Sequence, residues 1–255
     1  MTHGIPAAPE LRKDAVRDLI ARAQQDGGVR LTALSAVDLC ALGGPMHPYF
    51  DELTARAWLE LSDRRRRKAI DSATSDLVRR GLLADGPAEA GSPTYSMSPK
   101  LGVMLAARTR PSFIITNEVS GARFFQPTLF ALGDAADPVR GIVVESPAGI
   151  TEANLRDPLS AHYAYALLSI PAAARYLADW VLRPIKPARD VPADAARVVT
   201  RFHPQSSDGR IGCRLSVRGN GTTAQVIRSD DQPATGYDAA RLQDVMLDVI
   251  TGRPG

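Results

Sequence analysis

Little in this 255-residue chain carries recognisable chemistry. It has two cysteines, Cys40 and Cys213. They are too few and too far apart for a disulfide framework, so a reducing, cytoplasmic setting is expected. Aromatic residues make up 5% of the chain, which leaves the core to Leu, Val, Ile and Ala. Apolar runs such as residues 113–115 and 141–144 fall far short of the roughly 20 residues that span a bilayer, and no membrane association is expected. Residues 1–10 lack a basic segment followed by an apolar one, so no signal peptide is expected.

The usual catalytic signatures are missing as well. There is no Gly-rich phosphate loop, no dinucleotide-binding turn and no nucleophile elbow. His3, His47, His162 and His203 are isolated from one another and from both cysteines, so no metal-ligand spacing is visible. His162, at the start of a strand beside Tyr163, is a candidate sensor or ligand residue. The acid pair Asp230 and Asp231 lies in a turn-rich stretch and reads as solvated loop. The expectation is a protein that is not an enzyme, with no catalytic residue, no metal and no cofactor. A site assembled in space from distant residues would leave no such trace.

What the chain does have is ordinary globular composition, 44% hydrophobic and 23% charged, with a net charge of +3. That mild excess permits a nucleic-acid partner without requiring one. Heavy use of Ala, Arg, Asp, Gly and Pro points to a GC-rich, actinobacterial-like genome.

Hydrophobic periodicity predicts helices over residues 11–25, 32–42, 50–61 and 63–80. Ser62 is the expected N-cap of the fourth helix, with Asp63 in its first turn and Gly81 just beyond its end. Two short strands around a polar loop follow, over residues 82–84 and 94–97, and Ser98 with Pro99 restarts a helix. From Pro111 the pattern changes to strands, over residues 113–118, 128–132, 140–145 and 162–168. A helix from Ser169 to Leu182 comes next, and then strands over 197–202, 211–218 and 222–228. The last two are joined by Gly219, Asn220 and Gly221, a hairpin signal. A final helix carries Leu242, Val245, Met246, Val249 and Ile250 on one stripe. The Ala-Ala-Arg segments ending at Arg175 and Arg241 both open helices that follow strands, an echo consistent with two related halves.

The fourth helix is the strongest candidate for function. At 100° per residue, Ile70, Ala73, Thr74 and Leu77 share a face that belongs in a core. The opposite face collects Arg64, Arg65, Lys68, Ser72, Ser75 and Arg79. Long cations interleaved with small hydroxyls suit a helix pressed into a major groove, where they reach phosphates and base edges. Arg64, Arg65, Arg66 and Arg67 also crowd the positive end of the helix dipole, an arrangement that attracts anions. Against this, residues 31–83 hold eight Lys and Arg and seven acids, a local balance of +1. The loop expected as a wing, residues 85–93, contains Asp85 and Glu89 and no cation.

Two runs carry a resemblance to known families. The first is Ser75, Asp76, Leu77, Val78, Arg79, Arg80, Gly81, Leu82, Leu83. The second is Tyr95, Ser96, Met97, Ser98, Pro99, Lys100, Leu101, Gly102, Val103, Met104, Leu105. With them, residues 32–108 resemble winged helix-turn-helix regulators of the MarR and PadR type. There a recognition helix ends in a similar Arg-Gly-Leu-Leu turn, and the second wing strand runs into a helix. The resemblance covers about a third of the chain and implies binding to double-stranded DNA. The chain as a whole also resembles EspG-type chaperones of type VII secretion, on the order of its elements. The similar features are Leu31 and Thr32, then Pro48, Tyr49 and Phe50, then Arg79, Arg80, Gly81, Leu82 and Leu83. Ser98, Pro99, Lys100 and Leu101 follow, and strands closed by the two Ala-Ala-Arg helices complete the pattern. That resemblance implies two pseudo-symmetric halves and an exposed loop gripping a helical secretion partner. The helix over residues 11–25 and the short second half depart from it.

The fold class expected is α+β: an N-terminal helical, winged-helix-like domain followed by a mixed, mainly antiparallel sheet with two helices. Residues 1–28 are assigned to an amphipathic helix free to pair protomers, 29–110 to the winged-helix-like domain and 111–255 to an α+β domain. The leading function is a DNA-binding transcriptional regulator whose C-terminal part senses, dimerises or binds a partner. Arg64, Arg65, Lys68, Ser72, Ser75 and Arg79 would contact the duplex. The alternative is a protein-binding chaperone or adaptor, and a protein partner or self-association is expected in either case.

Overall fold

The computed structural model describes residues 13–43, 52–85, 95–119, 126–133, 139–148, 156–183, 198–204, 215–219, 223–228 and 235–251. Helix α1 (Lys13–Asp26) leads into strand β1 (Gly28–Ser35), and then come α2 (Ala36–Ala41), α3 (Glu52–Leu59) and α4 (Asp63–Arg79). Strands β2 (Leu83–Asp85) and β3 (Tyr95–Met97) pair as an antiparallel hairpin that runs into α5 (Pro99–Thr109). The remainder is β4 (Phe113–Val119), β5 (Thr128–Leu132), β6 (Gly141–Ala148), β7 (His162–Leu168), α6 (Ile170–Val181), β8 (Val198–Pro204), β9 (Leu215–Gly219), β10 (Ala224–Arg228), β11 (Thr235–Tyr237) and α7 (Ala239–Thr251). The protein is α+β, built on one large antiparallel sheet.

That sheet has nine strands in the order β1-β7-β6-β5-β4-β8-β9-β10-β11, and every neighbouring pair is antiparallel. The order has a simple internal logic. Strands β4 to β7 form a four-stranded meander closed by α6, and β8 to β11 form a second meander closed by α7. The meanders meet where β4 pairs antiparallel with β8, centred on Thr116 opposite Arg201. Antiparallel pairing at the junction is what a twofold axis normal to the sheet requires. The closing helices agree in detail. Their caps, Ser169 and Asp238, lie 69 residues apart. At that same offset Ala173, Leu177 and Val181 answer to Leu242, Met246 and Ile250, all buried.

Alternation along the strands distributes side chains between two cores. On one face Ile114, Phe130, Val143, Tyr163, Tyr165 and Leu167 meet α1, α2, α4 and α5 through Leu19, Ala23, Leu39, Leu77, Leu101 and Met104. On the other face Ile115, Leu129, Ile142, Val144, Phe202, Val217 and Val226 meet the packed pair α6 and α7. Strand β1 belongs to the sheet through its pairing with β7. Sheet and core therefore run continuously across residues 110 and 111, where a division between modules was expected. The apolar stripe of α1, expected to be free for a second protomer, is spent inside the molecule, with Leu19 and Ala23 buried.

Two local expectations are corrected. Residues 32–35, expected as the start of a helix, are strand, and α2 begins only at Ala36. Val29, Leu31, Thr32 and Leu34 point into the core while Arg30, Ala33 and Ser35 do not, with a bulge between Arg30 and Thr32. The helix start is fixed by a capping box: the Ser35 hydroxyl accepts from the Asp38 N–H (3.0 Å), and the Asp38 carboxylate accepts from the Ser35 N–H (2.9 Å). Strand β11 was not anticipated. The other elements fall where the periodicity put them. Parts of the expected helices at 11–25 and 50–61 and of the strands at 94–97, 197–202, 211–218 and 222–228 lie outside the described residues. Among the described residues, no helix is long and apolar enough to cross a membrane.

Candidate functional site

Helix α4 is built to present one face and bury the other. Ser62 sits in extended backbone and its hydroxyl accepts from the Arg65 N–H at 3.4 Å. Ala73 and Leu77 are buried, and Ile70 and Thr74 are half-buried on the same side. The helix ends at Arg80, and Gly81 follows at φ 66°, a left-handed conformation that a side chain would strain. Arg64, Arg65, Lys68, Ser72, Ser75 and Arg79 are all exposed, as is Arg67. The outer face thus gathers all six residues singled out from the sequence.

Their electrostatic states differ. Arg79 is ion-paired with Asp76, and the Ser75 hydroxyl donates to the Asp71 carbonyl of its own helix at 2.9 Å. Arg66, half-buried, pairs with Asp63 at 2.5 Å. Arg64, Arg65, Arg67 and Lys68 form no ion pair within the described residues. The face is therefore polarised along its length, with uncompensated cations over the first turns and near-balance from Asp71 onward. This placement raises the cost of crowding charge at the dipole's positive end. It also leaves a concentrated anion-attracting patch.

The C-terminal end of α4 is tied to the sheet edge. Arg80 reaches the Asp38 carboxylate at 3.3 Å, the Asp76 carboxylate at 3.3 Å, and the Ala33 carbonyl on the outer edge of β1. An edge strand exposes unpaired backbone groups, and Arg80 satisfies one of them. Hydrogen bonding from Arg79, reinforced by Arg80, holds the Asp76 carboxyl below its usual range. Beside this knot lies a cleft of about 420 Å³, lined by Ser35, Asp38, Ser72, Asp76, Arg80 and His162 among others. His162 is exposed there, its Nδ1 3.0 Å from the Ser160 carbonyl. Its position at a strand start matches the sequence reading; the cleft beside it was not foreseen. Both carboxylates of the cleft, Asp38 and Asp76, are already ion-paired with Arg80.

A second polar cluster, missed from sequence, lies in the core. Arg108 on α5 donates to Glu145 on β6 through Nε at 2.8 Å and through a second nitrogen at 3.4 Å. The Tyr165 hydroxyl on β7 donates to the same carboxylate at 2.6 Å. The Arg108 guanidinium lies 5.6 Å from the Phe130 ring centroid. Burial works against the guanidinium's charge, yet Glu145 and Tyr165 outweigh it and its pKa rises. Burial, with Glu145 alongside, pushes the Tyr165 hydroxyl well up. Burial likewise drives the Cys40 thiol up to about 12, against the pull of the Arg108 charge. The cluster holds α5 on the sheet. The one sequence signal for it was Glu145 ending an otherwise apolar run.

Of the expected wing loop, Asp85 ends β2 and pairs with Tyr95, while residues 86–93, with Glu89, lie outside the described residues. Among the described residues, no group of His, Cys, Asp and Glu is arranged to hold a metal ion. In comparison with known proteins, no family model matches the chain and no curated protein matches it.

Proposed function

We propose that this protein is a non-catalytic, cytoplasmic binding protein that escorts or scaffolds a protein partner. The observation that carries the reading is the sheet order, two four-stranded meanders meeting antiparallel and each closed by a helix. Two pseudo-symmetric halves are the feature implied by the resemblance to EspG-type secretion chaperones. The resemblance also implies a helical partner. The continuous core supports the reading further, because α4 is anchored to the same body as the sheet and the molecule offers one rigid surface. The test is co-expression with the small helical proteins encoded near its gene, followed by size-exclusion chromatography with light scattering. A stoichiometric complex free of nucleic acid is the expected result.

A second reading, a DNA-binding regulator, is favoured by one specific observation: Arg64, Arg65, Lys68, Ser72, Ser75 and Arg79 share the exposed side of α4. Four cations without ion pairs set its expected signature. A duplex binding there would lose affinity with a slope of log K against log salt of about −3 to −4. A mobility-shift series over salt with Arg64→Ala and Lys68→Ala variants checks it, and affinity unchanged by both substitutions excludes it.

A further inference from the structure

The patch of uncompensated charge has an apolar neighbour. Among the described residues two large hydrophobic side chains stay exposed, Leu53 (48%) and Leu59 (63%), and both are on α3. Thr54 and Trp58 are buried and set the inward direction of that helix. At 100° per residue, Leu53 and Leu59 then flank the outward face on either side of the exposed Arg56–Glu60 ion pair (2.9 Å). Three residues later Ser62 caps α4 and the unpaired cations begin. Arg64 follows Leu59 by five positions, so their Cα atoms lie within about 18 Å of each other. Two acids of this corner are already engaged, Glu60 with Arg56 and Asp63 with Arg66, while Glu52, at the far end of α3, is exposed beside Leu53 without an ion pair among the described residues. Arg64, Arg65, Arg67 and Lys68 are left to face outward.

We propose that the α3–α4 corner is the seat of an amphipathic helix of a partner protein, one that carries carboxylates beside apolar side chains. This deepens the partner-binding reading and rests on it. Charge complementarity selects an acidic partner. Exposed leucines next to the cations select a protein surface over a nucleic-acid backbone, which offers phosphates to the cations and little for a leucine to bury. Arginines at the rim of an apolar contact also give a guanidinium a bidentate carboxylate to meet.

The probe is a fluorescein-labelled, 20-residue helical peptide with Glu along one side and Leu along the other, titrated against the full chain by anisotropy. A Gln-for-Glu version of the peptide and a 20-base-pair duplex serve as comparisons. The Glu/Leu peptide is expected to bind. Its affinity should fall at least tenfold with Arg64→Glu/Lys68→Glu and at least tenfold with Leu59→Ser, both exposed changes whose folding is checked by circular dichroism. The Gln peptide should bind at least tenfold more weakly. No binding of the Glu/Leu peptide, affinity indifferent to both variants, or preference for the duplex overturns the proposal. If a helical partner copurifies equally with wild type and with Arg64→Glu/Lys68→Glu, this surface is wrong while the partner-binding reading stands. Failure of every helical partner to copurify removes the reading itself.

Discussion

Arg108 illustrates how a buried charge is tolerated only with its partners in place. Removing it leaves the Glu145 carboxylate in a low-dielectric core without its counter-charge, and losses of this kind run to about 3–5 kcal/mol. Arg108→Met is expected to cost about that much in urea denaturation. The triple change Arg108→Met/Glu145→Leu/Tyr165→Phe, which removes the whole cluster, should recover most of it. A triple variant as unstable as the single one would contradict this account. His203 makes a pH-dependent contribution. It sits 2.8 Å from the Thr116 hydroxyl, and burial, with Arg201 nearby, lowers its pKa while Glu118 partly opposes this. The folded state therefore prefers neutral imidazole. Its contribution is complete above the ordinary histidine pKa of about 6.5 and is lost as pH falls from there through the lowered folded value. Denaturation midpoints should drop across that window in wild type, and drop less in His203→Gln. Neither cluster was legible in the sequence. Arg108 lies 37 residues from Glu145, and His203 lies 87 from Thr116, so only the packing of α5 on the sheet unites the first pair and only the β4–β8 register the second.

At the scale of elements, local chemistry made most of the structure readable. Ser62, Ser98 and Ser169 cap helices where the sequence placed them, because a short side chain that accepts a backbone N–H is a local feature. The strand at residues 28–35 was hidden because Ala33, Leu34 and Ser35 suit either structure and pairing with β7, over a hundred residues away, decides the matter. Gly219 was read as part of a turn signal, and the hairpin is there, with Gly219 opposite Ala224. Its need for glycine comes from elsewhere. A Cβ at Gly219 would run into the Val181 carbonyl oxygen, where the end of α6 crosses β9. Gly219→Ala is therefore expected to destabilise by about 1–3 kcal/mol, as overpacking does. Thermal denaturation checks this, and a stability within 0.5 kcal/mol of wild type, the ~0.5 spread of neutral surface changes, would rule out so close an approach.

The whole molecule shows both what the sequence echo recorded and where it misled. The Ala-Ala-Arg segments pointed to the right pair of helices, α6 and α7. Yet Arg175 and Arg241 are 66 residues apart, three short of the offset that superposes the caps and buried stripes. What the halves share is a pattern of burial and strand order, which drifts in letters while keeping its spacing. The exposed face of α4 is legible for the opposite reason: an exposed helix side is specified by its own residues, and α4 presents the six that periodicity assigned to it. What they meet depends on a partner outside the chain. The most direct measurement is the mass and composition of the complex that the tagged, full-length protein forms in its own cells, read by light scattering and absorbance. A discrete complex with a helical protein, free of nucleic acid, is the predicted result; isolation bound to a specific DNA duplex, with no protein partner, would contradict it.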